Sequence, residues 1–291
     1  MATVATNKDR LLELKVGSAD EKLLLINGMG GHESISSLFS FSLDLMSEKP
    51  GDVKPDDLLG QNTTITLNRD GGAPRFFNGI VSRFSMTGRD ERFTYYHAEV
   101  VPLLWVLTRT SDCRIFQDMT VPDIVKKLLK EIGFLDIKDG LQRTYTKWDY
   151  CVQYRETDFY FVSRLMEQEG IFYYFTHESG KHTLVLGDSP QANPSCPNQG
   201  QARYAPDGGF GDREDVVTSW QTTHELKPGR WTLRDHNFQL PDQTLQVSRP
   251  TTMKAGNNDK LEMYDYPGEY AQRFNKPSER LDKVQPEADV V

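Results

Sequence analysis

Apolar and polar positions alternate along much of the first hundred residues. In residues 38–45, Phe39, Phe41, Leu43 and Leu45 face one way, and serines and an aspartate lie between them. This period of two is typical of a half-buried β-strand. The same kind of pattern predicts strands at 11–16, 22–26, 63–67, 75–86 and 92–107. Short strands joined by glycine- and aspartate-rich turns favour an antiparallel barrel or sandwich.

Glycine and proline modify this prediction in three places. The strand at 75–86 is expected to bend at Gly79, and the strand at 92–107 is interrupted by Pro102. The run Gly28-Met29-Gly30-Gly31 has the glycines of a phosphate-binding loop, but no Lys-Ser or Lys-Thr pair follows it. We therefore interpret this run as a turn between strands.

A helical period appears after residue 115. Residues 122–133 place five aliphatic side chains on one face, with Pro122 suited to the first turn and Gly133 to the C-terminal cap. Further along, the aromatic segment 171–175 and the aliphatic segment 183–186 flank a glycine turn and predict a β-hairpin. This middle part of the chain is therefore expected to be a small α+β domain.

Residues 158–169, directly before this hairpin, predict a second amphipathic helix. Thr157 is a natural N-cap, and Gly170 is a natural residue for the C-terminal end. Asp158 falls on the polar arc, where its charge meets the positive end of the helix dipole. Tyr160 is out of pattern, because it lies in the middle of that polar arc. It is either an ordinary exposed tyrosine or part of a second contact surface, and we predict an inter-domain or inter-subunit contact there.

After residue 187 the chain becomes rich in Gly, Pro, Asn, Asp and Gln, and strand-like segments then resume. The order is thus β-rich, α+β and again β-rich. The second β-rich part is shorter and ends without a closing hydrophobic strand, so we expect it to be incomplete. The predicted domains are a first β-barrel at 1–112, an α+β domain at 113–190, a boundary loop at 191–215 and a second β-barrel at 216–291.

Composition narrows the function classes. The 291 residues carry a net charge of −8, which argues against a general binder of nucleic-acid phosphates. No apolar run approaches the roughly 18 residues of a membrane span, and the first ten residues lack the apolar region of a secretory signal. Cys113, Cys151 and Cys196 are scattered, which supports neither a disulfide framework nor a thiolate zinc site. We expect synthesis in a reducing cytoplasm.

The candidate chemical sites are weak. Ser189 follows Gly187-Asp188 as in a hydrolase nucleophile turn, but His177, His182 and His224 lie in no recognisable partner motif. His177 and His182 flank a turn and lack a carboxylate or cysteine partner at metal-binding spacing, so we interpret them as surface histidines. The sequence therefore predicts no catalytic, cofactor-binding or metal-ligating residue.

Several ordered segments resemble the VgrG family, the spike proteins of bacterial type VI secretion, and more distantly the central hub protein of contractile phage tails. The densest is Val152–Phe175, which contains Tyr-Arg-Glu-Thr-Asp-Phe and Glu-Gly-Ile-Phe-Tyr-Tyr-Phe. The others are Leu184–Asp188, Leu233–Phe238, Tyr264–Tyr270 and the glycine-containing strand Phe76–Val81. The resemblance covers about residues 10–275.

This resemblance implies a mainly β fold in which two antiparallel barrels of the tail-hub type are linked by an α+β insertion. In the family, three copies form a ring of six barrels that matches a hexameric tube protein. A neck and a β-helical needle follow the hub, and a tip protein and effectors attach there. This chain stops inside or just after the expected second barrel.

The function implied is a structural hub module of a type VI secretion spike, without enzymatic activity and without cofactors. The partners implied are two further copies, a hexameric Hcp-like tube protein, baseplate proteins and effectors, with no nucleic acid. The chain would be cytoplasmic before firing and delivered to a target cell without a signal peptide. Two alternatives stay open: a tail hub or baseplate protein of a phage or phage-derived contractile particle, and a cell-wall hydrolase or effector that uses Ser189.

Overall fold

The computed structural model describes residues 10–19, 23–48, 53–69, 72–195, 200–206, 216–238 and 241–268. The chain divides into two compact units, Met1–Asn193 and Pro194–Val291. The described part is mainly β with few helices, as predicted. Within it, no helix is both long and apolar enough to cross a membrane.

The first unit begins with a six-stranded antiparallel sheet. In chain order its strands are β1 (Leu12–Val16), β2 (Leu25–His32), β3 (Ser40–Ser47), β4 (Asn62–Leu67), β5 (Arg75–Arg89) and β6 (Thr94–Val101). The order across the sheet is β1-β4-β5-β6-β3-β2. The two outer strands lie near each other, so the sheet curls into a half-barrel.

The alternation in residues 38–45 decides which face of this sheet is inside. Phe39, Phe41, Leu43 and Leu45 are all at most 2% exposed, whereas the polar residues between them face outward. Each such side chain contributes about 2–3 kcal/mol through burial. The hydrophobic pattern alone therefore fixes the orientation of β3.

Glycines allow a close approach that the sequence pattern did not reveal. The run Gly28–Gly31 is not a turn, because it lies within β2 and pairs with β3. A Cβ at Gly31 would come within 2.4 Å of the Phe41 ring. Gly31 therefore makes room for the aromatic ring of Phe41 on the neighbouring strand.

The two long predicted strands also differ from expectation. Pairing along β5 is irregular between Val81 and Arg83 and between Met86 and Gly88, and not at Gly79. The predicted strand at 92–107 ends at Val101, and Pro102 leads into a 3-10 helix, Leu103–Thr108. Proline lacks the N–H that continued strand pairing requires.

The predicted α+β part follows within the same unit. Its elements are β7 (Ser111–Phe116), α1 (Val121–Glu131), β8 (Ile137–Gly140), β9 (Cys151–Thr157), α2 (Asp158–Gln168), β10 (Phe172–Glu178) and β11 (Lys181–Gly187). Strands β7 and β9 form an antiparallel ribbon, and β10 and β11 form a hairpin with β8 parallel to β11. The predicted succession of strand, helix and hairpin is confirmed.

The two helices bury one face each against this part of the molecule. Thr157 accepts a hydrogen bond from the Tyr160 N–H at 3.2 Å, and Gly170 takes a φ of 64°, so both predicted caps of α2 are confirmed. The core side chains of the helices, each at most 3% exposed, are Val121, Ile124, Val125, Leu128, Leu129, Phe161, Val162, Leu165 and Met166.

The second unit contains a smaller sheet. The short strands β12 (Arg203–Tyr204) and β13 (Val216–Val217) pair with each other. The sheet consists of β14 (Arg230–Asp235), β15 (Leu245–Pro250) and β16 (Glu262–Asp265), in the order β15-β14-β16. The glycine-rich part of the predicted boundary loop at 207–215, Cys196 and the polar segment 276–291 lie outside the described residues.

Candidate functional site

Within the first unit, the fold separates the hypothetical nucleophile Ser189 from His177 and His182. Ser189 follows the end of β11, whereas His182 lies near the start of that strand, opposite His177. Seven residues of strand correspond to about 20 Å. Ser189 instead begins a short 3-10 helix, which agrees with its interpretation as the start of a loop. The third histidine, His224, belongs to the second unit.

The interpretation of His177 and His182 as surface residues is wrong. His182 is 6% exposed, and the His177 side chain is 8% exposed. Their rings, with centroids 6.5 Å apart, lie between the hairpin and the half-barrel. A period of two along the hairpin could have shown this, because His177 shares a face with Phe175. Among the described residues, no group of three metal-binding side chains occurs.

The centre of this contact is Asn78, a fully buried residue of β5. Its side-chain amide donates to Asn62 Oδ1 at 2.6 Å and to Thr64 Oγ1 at 2.9 Å. Its side-chain oxygen accepts from His182 Nδ1 at 2.8 Å, and its backbone N–H donates to His177 Nδ1 at 3.1 Å. One asparagine therefore connects the half-barrel to both histidines of the hairpin.

The position of Asn78 in the sheet explains why its backbone N–H needs a side-chain acceptor. Pairing between β5 and β6 begins at Ile80, so residues 75–79 extend beyond the end of β6 and have no strand on that side. A buried backbone N–H without a partner costs about 1–3 kcal/mol. The His177 ring supplies the missing acceptor.

His182 must be neutral in this arrangement. Its Nε2 accepts from the Leu103 N–H at 3.0 Å, so the ring proton lies on Nδ1, where it is donated to Asn78. Burial, reinforced by the neighbouring His177, lowers the pKa of His182 from 6.5 to about 4. The imidazole is therefore a fixed, uncharged connector at neutral pH.

Further hydrogen bonds attach the hairpin at both ends. His177 Nε2 lies 2.8 Å from Glu33 Oε1, in the loop between β2 and β3. At the hairpin turn, Gly180 O accepts from Asn62 Nδ2 at 2.8 Å, and its N–H donates to Thr64 Oγ1 at 3.2 Å. We call the set Glu33, Asn62, Thr64, Asn78, His177 and His182 the junction. The junction fixes the insertion on the half-barrel.

A second buried network surrounds Asp158, which sequence reasoning placed on the exposed polar arc of α2. That placement is wrong, because Asp158 is 3% exposed. Its carboxylate accepts from Arg114 Nη2 at 2.9 Å, Thr110 Oγ1 at 2.6 Å and Gln153 Nε2 at 2.6 Å. Arg114 also pairs with Glu131 of α1. One arginine thus links the ribbon to both helices.

Asp188 has a comparable structural role after β11. Its carboxylate accepts from the backbone N–H groups of Gln142 and Arg143 at 2.9–3.0 Å and from the Tyr145 hydroxyl at 3.0 Å. Burial raises the pKa of Asp188, but the Arg143 and Gln142 N–H donors outweigh it and lower the pKa below its usual value. Asp188, in the segment Leu184–Asp188 that resembles the VgrG family, therefore holds the loop before β9 in place.

The ribbon of β7 and β9 presents an apolar face to solvent. Val152 and Tyr154 lie two residues apart on β9 and are exposed, and Ile115 of β7 pairs with Val152. Ile115 is 58% exposed and Tyr154 is 64% exposed. Large apolar residues that cluster on a surface indicate an interaction site more strongly than scattered ones do.

Tyr160 is 67% exposed and lies on α2, the helix that directly follows β9. Arg164, four residues further along α2 and therefore on the same helix face, donates to Val152 O at 2.8 Å. The face of α2 that carries Tyr160 thus adjoins β9. We call Ile115, Val152, Tyr154 and Tyr160 the contact face. Sequence reasoning singled out only Tyr160 of these four.

The first unit is thus a curled antiparallel sheet that carries an α+β part held to it by buried polar networks, and structural tail-hub proteins share this kind of fold. Residues 32–290 match the sequence profile of the phage tail baseplate hub (GPD) family. The chain belongs to this family.

Curated relatives narrow the resemblance. The chain is 45% identical to the type VI secretion system spike protein VgrG1a of Pseudomonas aeruginosa over 251 residues, 86% of this chain and 39% of that protein. It is 30% identical to VgrG3 of Vibrio cholerae over 272 residues, 90% of this chain and 26% of that protein. The resemblance to VgrG spike proteins is confirmed, and the chain spans well under half the length of these relatives.

Solved structures support the fold. The type VI secretion component c3393 of Escherichia coli superimposes with a TM-score of 0.57 at 23% identity, over 67% of this chain and 52% of that one. A tail protein of Neisseria meningitidis gives a TM-score of 0.56 at 15% identity, over 96% of this chain and 74% of that one. At these identities the similarity concerns the fold alone.

Proposed function

We propose that this chain is a structural hub module of a type VI secretion spike, which joins the hexameric tube to the puncturing needle and is expelled when the sheath contracts. The observation that carries the proposal is the 45% identity to VgrG1a, which extends over 86% of the chain. The module has no enzymatic role. Two buried polar groups, the carboxylate of Asp158 and the side-chain amide of Asn78, are engaged in holding elements together.

The architecture proposed for this hub has two barrels. The proposed division is a first barrel at residues 1–112, the α+β insertion at 113–190, a boundary loop at 191–215 and a second barrel that begins at 216 and includes residues up to 291. The similarity of the fold to tail proteins supports this division. In the second unit, β14 carries the exposed Trp231, and its neighbour β16 carries the exposed Met263. Such side chains are suited to burial by further strands of a barrel.

The partners proposed follow from the same assembly. Three copies would form a ring of six barrels that matches a hexameric Hcp-like tube protein, with baseplate proteins around it and effectors carried by the spike. The chain would reside in the cytoplasm before firing and be delivered to the target cell as part of the spike. The contact face, with Tyr160, is proposed as a surface through which one copy meets another.

The hub assignment predicts assembly in solution. The purified chain at high concentration is expected to form trimers and to bind the hexameric tube protein of the same organism, one trimer to one hexamer. Sedimentation velocity and native mass spectrometry measure both masses. A chain that stays monomeric at several hundred micromolar and does not bind the tube protein would contradict the hub role.

The contact face predicts the effect of Tyr160→Asp. A charged side chain placed at a buried aromatic contact is expected to weaken self-association by at least about tenfold, because large aromatic residues dominate interface energies. Sedimentation equilibrium measures the change in the dissociation constant of self-association. Leu135→Asp is the control, since Leu135 is 71% exposed in the same unit and lies outside the contact face. Equal association of the two variants would identify Tyr160 as an ordinary exposed tyrosine.

A second candidate is a tail hub of a phage or phage-derived contractile particle. The similarity of the fold to the Neisseria meningitidis tail protein over 96% of the chain favours it. The two candidates differ in their tube protein. Binding to a phage tail tube protein, with none to an Hcp-like hexamer, would support the second.

A further inference from the structure

The hairpin β10–β11 is connected to the half-barrel through hydrogen bonds that require the His182 ring to be neutral. Leu103 N–H requires a lone pair on His182 Nε2, and Asn78 Oδ1 requires the proton on Nδ1. A second proton on this ring would occupy Nε2 and oppose the Leu103 donor directly. The geometry is therefore compatible with the neutral imidazole alone.

We propose that the junction is an acid-sensitive latch, in which protonation of His182 releases the hairpin β10–β11 from β5 and uncovers the unpaired strand edge at residues 75–79. This inference concerns how the insertion is held, and it does not depend on the proposed function. Release would leave the Asn78 N–H, now bound by His177, available to another strand.

The surroundings of His182 cannot compensate a positive charge. The half-barrel contributes neutral groups to it, namely Asn78 and the Phe39 ring, and the turn after α1 contributes the Phe134 ring. The hairpin contributes His177, a second potential cation, and the Phe175 ring.

The carboxylates nearby are engaged elsewhere. The Glu33 carboxylate lies 2.8 Å from His177 Nε2 and is bound to that ring. The remaining charged pair of the hairpin, Glu178 and Lys181, is exposed at the turn and mutually bound. Protonation of His182 would therefore place an unpaired cation in an aromatic site, which strongly disfavours the closed form.

The lowered pKa of His182 determines how the stability of the closed form depends on pH. Closed, His182 has a pKa of about 4, and after release the pKa returns to about 6.5. The released form binds the additional proton, so the closing free energy is fully present above about pH 6.5 and is lost as the pH falls from about 6.5 to about 4. Between pH 7.5 and pH 5, the population of the released form is expected to rise roughly 30-fold.

Amide hydrogen exchange of the full chain, followed by mass spectrometry and corrected for intrinsic rates, measures this release. Exchange in peptides that cover 75–80 and 172–187 is expected to accelerate by about that factor at pH 5, while exchange in the buried part of α2 changes little. The matched variant is His182→Gln, whose amide can accept from Leu103 and donate to Asn78 without titrating. The control is His97→Gln, at a histidine on the outer face of β6 that pairs with Asp44.

If the latch exists, acid accelerates amide exchange of the hairpin in the parent chain and in His97→Gln. The same acceleration is absent in His182→Gln. Equal exchange at both pH values in the parent chain would overturn it, as would an unchanged pH response in His182→Gln. If His182→Gln does not fold, NMR titration of the His182 ring in the parent chain decides. A closed-state ring that protonates near pH 6.5 with the hairpin still protected overturns the latch, and a neutral Nδ1–H ring at pH 5 supports it.

Discussion

Replacing Asp158 by alanine is expected to lower the free energy of unfolding of the first unit by about 3–5 kcal/mol, the range typical for breaking a buried ion pair. The carboxylate accepts hydrogen bonds from Arg114, Thr110 and Gln153, and Gln153 is fully buried. The alanine variant would leave the Thr110 hydroxyl and the Gln153 amide without this acceptor. Urea unfolding followed by far-ultraviolet circular dichroism measures the loss.

Asp112→Ala is the matched control for this prediction, because Asp112 also pairs with Arg114, at 3.1 Å, but its side chain is 55% exposed. Exposed ion pairs contribute at most about 1 kcal/mol. We therefore expect Asp112→Ala to reduce stability by less than that amount. Similar losses in the two variants would mean that burial of Asp158 is not what makes the network stabilising.

Gly79→Ala is expected to destabilise the half-barrel by about 3 kcal/mol, at the upper end of the range for overpacked sites. A Cβ on Gly79 would lie 2.5 Å from the Val101 carbonyl oxygen, 2.7 Å from Val100 Cγ1 and 3.2 Å from the Phe39 ring. The first of these is backbone, so relief requires β5 and β6 to separate. The loss is measured by thermal and urea unfolding of the variant and the parent chain.

The same strand provides the control. Gly88 of β5 has no heavy atom within 4 Å of the position that a Cβ would occupy, and it has no positive φ. Gly88→Ala is therefore expected to change stability by less than about 1 kcal/mol, with stabilisation as the favoured direction. If both variants lost stability equally, the close approach at Gly79 would not be the cause.

Local patterns were sufficient to predict the elements whose signals lie close together in the sequence. The alternation around Phe39 and the caps of α2 at Thr157 and Gly170 depend on neighbours within a few residues, and the structure confirms them. The glycine run at 28–31 was misinterpreted as a turn, because it pairs with another strand and Gly31 lies against the Phe41 ring there.

The buried polar residues could not be predicted for the same reason. Asp158 suits a first helical turn in sequence, but its ionic partner Arg114 is 44 residues away. The role of His182 depends on Asn78, 104 residues away in the chain. The exposure of Tyr160 could be predicted, because this residue breaks a local period, and its role in a contact stays a prediction. Ile115 and Val152 became part of the same surface only when the register of the ribbon was known.

The five residues of β5 that extend beyond β6 make the half-barrel dependent on the α+β part of the first unit. A chain cut after residue 112 would keep the half-barrel strands but would leave Asn78 without both imidazoles. Transfer of the insertion between related proteins would succeed only if His177 and His182 of the hairpin were transferred together with Asn78 of β5. The predicted boundary at residue 112 therefore lies inside one compact unit, Met1–Asn193, which recombination or protein engineering would have to keep whole.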